Sequence, residues 1–236
     1  MRNLKKFLAA AIATATLTVM LCLGASAAPK FTDVKDGDTA LVDAVDLLSY
    51  LNVTKGTSET TFGTNEKVTR QQMAAFIYRL MKKGASVEGG TNSTTFTDLV
   101  DSTYFSYISW ADSMGIIKGR SETQFDPTGT ITLQEAYTML TRALGYDGED
   151  YVFPHSYIDV AEQKGVELDK GLPSGISYET PLSRGAVAIV LYNTFFAEMS
   201  HTVKEYGEYT FQSGKKELYE KNNYHPTLAE EVYEVI

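Results

Sequence analysis

The amino-acid sequence predicts an all-α protein built from three tandem helical repeats. Two stretches of the chain match each other at an offset of 63 residues, and a third, more divergent copy follows them. Within each copy the apolar residues recur with the spacing of one helical face. Because such one-sided stripes cannot be buried within a single copy, we expect the copies to stack on one another.

Residues 1–27 precede the repeats and are predicted to be an export signal. Three basic residues stand before the uncharged, mostly apolar segment 7–23, and Ala-Ser-Ala at 25–27 is typical of a signal peptidase site. An uncleaved membrane anchor is the alternative, but 17 residues interrupted by threonines are few for a bilayer. We therefore expect a secreted protein with no integral membrane segment after signal removal.

The composition of the mature chain excludes several classes of protein. Removing the three basic residues of the signal from the 21 leaves 18 against 30 acidic residues, a formal charge of −12. Such a charge disfavours binding to nucleic acid or to an anionic membrane. The only cysteine, Cys22, leaves with the signal, so the mature protein folds without disulfides.

The first repeat, residues 28–84, opens with Phe-Thr-Asp and contains two predicted helices. The apolar stripes of these helices are Leu41, Ala44, Val45 and Leu48, then Met73, Phe76, Ile77 and Leu80. Thr69 and Gln72 have the spacing of a capping box at the second helix start. Gly84 follows the last apolar residue, where a left-handed residue commonly closes a helix. Residues 85–95 are rich in Gly, Ser and Thr and are predicted to form a linker.

The second repeat, residues 96–148, reproduces these features. Its KGRSETQF at 118–125 shares six of eight residues with KGTSETTF at 55–62. Thr132 and Glu135 form the second predicted capping box. Its apolar stripes are Tyr104, Tyr107, Ile108 and Ala111, then Ala136, Met139, Leu140 and Ala143.

The third repeat, residues 149–199, is degenerate, and the tail at 200–236 does not continue the pattern. Ser183 and Arg184 stand where Thr-Arg stood in the first copy, and Ser183 can cap a helix. The role of the tail is unreadable from sequence. We hypothesise that the chain is the anchoring portion of a longer surface protein, or that its last residues dock onto the helices.

The order of these motifs resembles the S-layer homology modules, which anchor proteins to bacterial cell walls and usually occur three in tandem. The first copy reads FTD, NVTKG and TTFGTNEKVTRQQ, the second FTD, GIIKG and TQFDPTGTITLQE, and the third a degenerate KGV and TPLSRGA. The resemblance covers about residues 31–199. It implies three repeats assembled as a pseudo-threefold spindle of helical prongs with short loops.

The resemblance also implies a ligand, a secondary cell-wall polysaccharide that commonly carries a pyruvate ketal and lies in grooves between the repeats. A ketal-linked carboxylate is a planar anion, suited to a guanidinium fork near the N–H groups of a helix start. Arg70 and Arg184 each follow a capping hydroxyl, that of Thr69 and that of Ser183. These four residues are the first candidate site residues, and a plain surface charge is the alternative for either arginine.

Five further candidates have two interpretations each. Trp110 either stacks on a sugar or belongs to the core. Asp33 and Asp98 either orient groove donors or hold a turn or cap. Gly56 and Gly119 either let the backbone approach a sugar or adopt a positive φ, which is the commoner reason.

The sequence departs from the family pattern in two places. Leu133 replaces the arginine in the second copy and cannot bind an anion, so a groove centred there is lost or needs another donor. The family's aromatic residue near the start of the first helix falls at Ala40 in the first copy. Tyr104, Tyr107 or Trp110 is the candidate replacement in the second copy.

No catalytic or metal-binding pattern stands out in the sequence. It contains no Gly-x-Ser-x-Gly elbow, phosphate loop or His-Glu-x-x-His motif, and its three histidines lack ligand spacing. The acidic stretch at 33–38 has Lys35 and Gly37 where a calcium loop supplies oxygens. We therefore expect neither an enzyme nor a bound cofactor.

The sequence thus favours a noncovalent anchor on the wall or S-layer of a bacterium of the Gram-positive type. Its expected partner is wall polysaccharide, with other S-layer subunits or an attached downstream domain as further partners. The alternative is a protein-binding or lattice-assembly module that has lost glycan binding. A third interpretation, an envelope hydrolase bearing such modules, lacks a convincing acid/base pair.

Overall fold

The computed structural model describes residues 31–87, 89–200 and 226–233. The predicted signal and most of the tail lie outside these residues. The described residues contain α-helices and a 3₁₀ turn at Ser102–Tyr104 but no β-strand, which confirms the all-α prediction. The helices are α1 (Thr39–Tyr50), α2 (Arg70–Met81), α3 (Phe105–Ser113), α4 (Leu133–Ala143), α5 (His155–Glu162), α6 (Arg184–Phe196) and α7 (Leu228–Tyr233). None of them has the length and hydropathy needed to cross a bilayer.

The predicted helix starts are confirmed. The Thr69 hydroxyl accepts the Gln72 amide N–H at 3.4 Å, and the Gln72 side-chain oxygen accepts the Thr69 N–H at 2.9 Å. The Glu135 carboxylate accepts the Thr132 N–H at 3.0 Å. The Ser183 hydroxyl accepts an amide N–H of the first turn of α6 at 3.3 Å. The local sequence therefore sets where α2, α4 and α6 begin.

Each prong pairs helices from two different repeats. Helix α2 packs against α3 and α4 against α5, so the second helix of one repeat meets the first helix of the next. Helix α6 packs against α1, which closes the ring. Gly84 and Gly145 have φ of 76° and 90°, the left-handed conformation that ends α2 and α4 and reverses the chain. The two helices of one repeat are thus not each other's main partner.

The segments that precede α2, α4 and α6 bridge one another around the centre of the molecule. The antiparallel bridges join Lys67 with Ser183, Thr69 with Thr130, and Thr132 with Pro181. Each pair of repeats therefore shares one bridge, which gives the assembly its pseudo-threefold arrangement.

The two glycines of the repeated KG motif are required by packing. Neither Gly56 nor Gly119 has a positive φ, so the expectation that they adopt one is wrong. A Cβ on Gly56 would lie 2.4 Å from a ring carbon of Phe31, and one on Gly119 would lie 2.2 Å from the Ser121 carbonyl oxygen. The phenylalanine of each Phe-Thr-Asp opening and the carbonyl oxygens of the loop itself together leave no room for a side chain.

The last described residues pack against the prongs. This agrees with the hypothesis that the end of the tail docks onto the helices. Leu228 and Val232 of α7 are buried. The Tyr233 ring packs on Phe195 at 4.9 Å between centroids, and its hydroxyl donates to the Leu80 carbonyl at 2.8 Å. Helix α7 therefore touches both α6 and α2.

Candidate functional site: grooves between the repeats

Arg70 lies at the first position of α2 and extends from the first repeat into the second. It is 4% exposed, so it is not a plain surface charge. Its Nε–H donates to the Phe125 carbonyl at 2.9 Å, Nη2 to the Lys118 carbonyl at 3.1 Å, and Nη1 to Glu135 Oε1 at 3.3 Å. The guanidinium carbon lies 4.7 Å from the centre of the Phe125 ring. Burial lowers the pKa of Arg70, and the Glu135 carboxylate opposes that shift.

A groove of about 360 Å³ opens beside this arginine. Its lining includes four basic residues and one acid, although the protein as a whole is acidic. These residues are Arg70, Lys118, Arg120, Arg142 and Glu135. Gly119 also lines the groove, and Phe153, which is 51% exposed, stands beside it. The groove thus combines cationic groups with an accessible aromatic ring.

Glu135 supplies the negative charge of this groove. Glu135 Oε2 accepts the Thr132 N–H in the capping box. Its Oε1 forms ion pairs with Arg70 and with Arg120, and the Arg120 side chain is 48% exposed. Arg120 also lies 3.6 Å from Asp126. The cationic groups of the groove are therefore compensated in part by the protein itself.

Arg184 repeats the arrangement of Arg70 between the third repeat and the first. It is half-buried, and its Nη2 donates to the Thr54 hydroxyl at 2.7 Å and to the Lys55 carbonyl. Its guanidinium carbon lies 5.0 Å from the Phe62 ring centre and 5.1 Å from that of Phe76. Arg184 and Arg70 therefore occupy matching positions on matching loops.

The third equivalent position is apolar. Leu133 is 3% exposed, and its amide N–H donates to the Thr180 carbonyl of the third repeat at 3.2 Å. Ala40, where the family has an aromatic residue, packs near Gly171. The Leu133 position therefore lacks the guanidinium, and the Ala40 position lacks the aromatic ring.

The amide groups at the helix starts are already bonded within the protein. The amides of Arg70 and Gln71 donate to the Gly129 and Pro127 carbonyls at 2.9 and 3.0 Å. The amides of Arg184 and the residue after it donate in the same way to carbonyls of the first repeat. These bonds interlock the repeats, so the expected help of helix-start amides in holding a carboxylate does not fit this arrangement.

Asp33 and Asp98 hold the loops of their own repeats and do not cap the helices that follow them. Asp33 accepts the amide N–H groups of Phe62 at 2.7 Å and Thr64 at 2.8 Å. Asp98 accepts that of Asp126 at 2.7 Å. Burial raises the pKa of each carboxyl, but these backbone hydrogen bonds outweigh it and leave both pKa values lowered. Of the two interpretations, the geometry therefore favours the turn.

The aromatic candidates of the second repeat occupy different surroundings. Tyr107 is fully buried, and its hydroxyl accepts from Arg79 at 3.2 Å, so it cannot stack on a sugar. The Trp110 ring packs edge-on against Tyr78 at 5.0 Å, within the α2–α3 prong. Tyr104 is half-buried and close enough to Arg184 to influence its pKa.

Sequence reasoning missed several groove residues. Lys118, Arg120, Arg142 and Phe153 were not candidates, although all line the Arg70 groove. Two of them could have been found from the sequence repeat. Lys118 and Arg142 lie 63 residues after Lys55 and Arg79 of the first repeat, the same offset that relates the two copies.

Fold and grooves together define a class of protein, a helical-repeat module whose interlocked repeats enclose charged grooves. The family model of the S-layer homology domain matches residues 30–74 and 95–136. The chain is an S-layer homology domain protein.

Curated relatives of the chain carry the names of bacterial surface proteins. It is 31% identical to a cell surface protein of Thermoanaerobacter kivui over 81% of this chain and 24% of that protein. It is 31% identical to a surface layer protein of Brevibacillus choshinensis over 70% of this chain and 15% of the relative. It is 27% identical to a cellulosome-anchoring protein of Acetivibrio thermocellus over 51% of this chain and 27% of that protein. The chain thus spans about a quarter or less of these relatives.

Proposed function

We propose that this chain is a noncovalent anchor that binds an anionic polysaccharide of a bacterial cell wall in the grooves between its repeats. Residues 31–199 act as three S-layer homology repeats, the third of them divergent. The module works at the cell surface and is not an enzyme. Other surface-layer subunits or an attached domain are its further partners.

One observation carries the proposal: two arginines at helix starts reach across a repeat boundary into the KG loop of the next repeat. Arg70 does so next to a groove with further cations, and Arg184 does so on the loop at Lys55. A guanidinium held in a fixed direction binds a planar carboxylate such as a pyruvate ketal in two-point fashion. In a chain of net charge −9, such a concentration of cations favours a binding role.

The remaining candidates shape these grooves. Thr69 and Ser183 set the helix starts that carry the arginines. Asp33, Asp98, Gly56 and Gly119 hold the loops on which the grooves are built. Phe153 is positioned to face a sugar ring, and ligand contact by Trp110 stays a prediction.

The test is cosedimentation of residues 28–236 with purified Gram-positive cell walls, before and after acid extraction of the polysaccharide. We expect binding that disappears with the glycan and weakens in Arg184→Ala. Lys164→Ala removes one exposed charge elsewhere and serves as the matched control. Binding that survives extraction would contradict the proposal and favour the protein-binding alternative.

Salt dependence provides an independent check. The acidic protein repels an anionic polymer at long range, but that field is screened within roughly 8 Å at physiological salt. Binding therefore rests on short-range contacts, and we expect only modest weakening by added salt. A steep loss at moderate salt would contradict binding in a groove.

A further inference from the structure

The three helices α2, α4 and α6 are tied together at both of their ends. The antiparallel bridges between the repeats lie just before the first residues of these helices, so they join the helices only where they begin. The helices have 12, 11 and 13 residues, which places their far ends about 16–20 Å from the bridges. A second and separate set of contacts joins the helices there.

A short segment directly after α6, residues 197–200, is the centre of this second set. The Ser200 N–H donates to the Leu144 carbonyl at the end of α4 at 2.9 Å. The Tyr146 hydroxyl donates to the Glu198 carbonyl at 3.1 Å. Burial raises the pKa of Tyr146 to about 12, so the hydroxyl keeps this proton at neutral pH. The third repeat is thereby bonded to the end of the second.

The tail pairs with the same segment. The Met199 N–H donates to the Pro226 carbonyl at 2.8 Å, and the Leu228 N–H donates to the Ala197 carbonyl at 3.1 Å. The two pieces of chain run antiparallel here. The start of α7 is therefore fixed by backbone hydrogen bonds to the segment that also holds α4.

Helix α7 continues from this pairing to the first repeat. Leu228 and Val232 are 0% and 3% exposed, so the apolar face of α7 is buried. The Tyr233 ring packs on Phe195 of α6, and its hydroxyl donates to the Leu80 carbonyl in the last turn of α2 at 2.8 Å. The segment after α6 and helix α7 together therefore join the far ends of α2, α4 and α6.

This end of α4 also forms part of the Arg70 groove. Arg142 lines that groove and lies in the last turn of α4. It donates to the Tyr157 hydroxyl from Nε at 3.1 Å and from Nη2 at 2.9 Å. Two positions further on, the Leu144 carbonyl accepts the Ser200 N–H. The turn of α4 that positions a groove residue is thus the turn to which the segment after α6 is bonded.

We infer that α7 is a clasp, whose docking holds the far ends of α2, α4 and α6 together and whose release loosens the end of α4 that carries Arg142. Removal of α7, or its capture by another protein, then alters one wall of the Arg70 groove, which α7 itself does not line. This inference concerns the tail and holds whether or not the groove binds a polysaccharide.

Hydrogen exchange of residues 28–236, followed by NMR, tests the clasp. Val232→Asp places a charge in the buried face of α7 and favours its release. Amides that exchange through one cooperative opening are accelerated by one common factor. We expect the amides of Gly84 and Gly145, which close α2 and α4, to exchange at least about tenfold faster, by the same factor as that of Leu228.

Two further variants make the result specific. Val100→Asp makes the same exchange at a valine that is 82% exposed, and should change the rates of these amides by less than about twofold. Tyr233→Phe removes only the hydrogen bond to the Leu80 carbonyl, and should accelerate the same amides by a smaller common factor. It replaces Val232→Asp as the test variant if the charged variant does not fold.

The Arg70 amide separates release of the clasp from general unfolding. It donates to the Gly129 carbonyl at the other end of α2 and should keep its wild-type exchange rate. Faster exchange confined to residues 197–200 and 226–233 would overturn the inference, because α7 would then leave without loosening the first two repeats. Equal acceleration of the Arg70 amide would overturn it too, because α7 would then only add to overall stability. Wall binding by the wild type is measured independently, so these outcomes leave the proposed function undecided.

Discussion

The start of α2 and the start of α4 have the same backbone geometry but opposite side-chain chemistry. At both, the first helical amide donates to a carbonyl of the next repeat, at 2.9 Å for Arg70 and 3.2 Å for Leu133. Both side chains are almost fully buried. One is a cation with three polar partners, and the other is a hydrocarbon. The interlocking of the repeats is thus independent of the arginine, and the grooves are side-chain additions to a common scaffold.

The largest expected effect comes from removing the cation at the start of α2. Arg70→Ala leaves Glu135 buried with only Arg120 as ionic partner, and breaking such a pair costs about 3–5 kcal/mol. Denaturant unfolding at neutral pH measures the loss. The double variant Arg70→Leu with Glu135→Gln, which imitates the start of α4, should recover most of the stability. A loss below about 1 kcal/mol in Arg70→Ala would break the comparison.

A smaller loss of stability is expected from a substitution in the KG loop, which has the same crowded geometry in the first two repeats. Gly119→Ala places a Cβ 2.2 Å from the Ser121 carbonyl oxygen, and overpacking of this kind costs about 1–3 kcal/mol. Gly37→Ala is the matched control, because nothing lies within 4 Å of its added Cβ. The unfolding midpoints of the two variants are compared. Equal midpoints would show that the KG loop accommodates the added methyl group without loss of stability.

Acid should weaken the first two repeats through their Phe-Thr-Asp aspartates. The folded pKa values of Asp33 and Asp98 lie below the unfolded value of 3.8, so their stabilisation is present above that pH. It is lost as the pH falls through the folded values. Asp98→Asn should flatten the dependence of stability on pH in this acidic range, as unfolding between about pH 2 and pH 6 would reveal. An unchanged slope would mean that the loop bonds carry no charge-dependent stability.

The smallest effect concerns the tail. Tyr233→Phe removes one hydrogen bond to the Leu80 carbonyl and should cost about 0.5–1.5 kcal/mol. Limited proteolysis measures it as faster release of the tail, with Tyr50→Phe, an exposed tyrosine, as the control. An identical rate in both variants would indicate that this hydrogen bond does not help to hold α7.

Much of the scaffold was predictable because it depends on short-range rules. The capping boxes at Thr69 and Thr132 and the closing glycines at Gly84 and Gly145 involve residues a few positions apart, and all lie where predicted. Gly56 shows where such rules end, since the ring of Phe31, a distant residue, closes the space for a Cβ together with two carbonyl oxygens of the loop itself. Local propensity carries no information about contacts of that range.

The candidate site was predictable only in part. Arg70 and Arg184 followed from the repeat pattern, whereas Phe153 enters the Arg70 groove from the third repeat, a place that no sequence offset indicates. Nor does the pattern show that the Arg70 guanidinium is buried against Glu135, 65 residues further along the chain.

The sequence by itself determined the helices and where α2, α4 and α6 begin, because the spacing of apolar residues and the capping groups act over one or two turns. Only the tertiary structure decided that α6 closes on α1, that each groove takes residues from more than one repeat, and that Glu135 rather than solvent neutralises Arg70. These outcomes depend on burial and on hydrogen bonds between distant residues. Such interactions stabilise the protein only after the repeats have packed against one another.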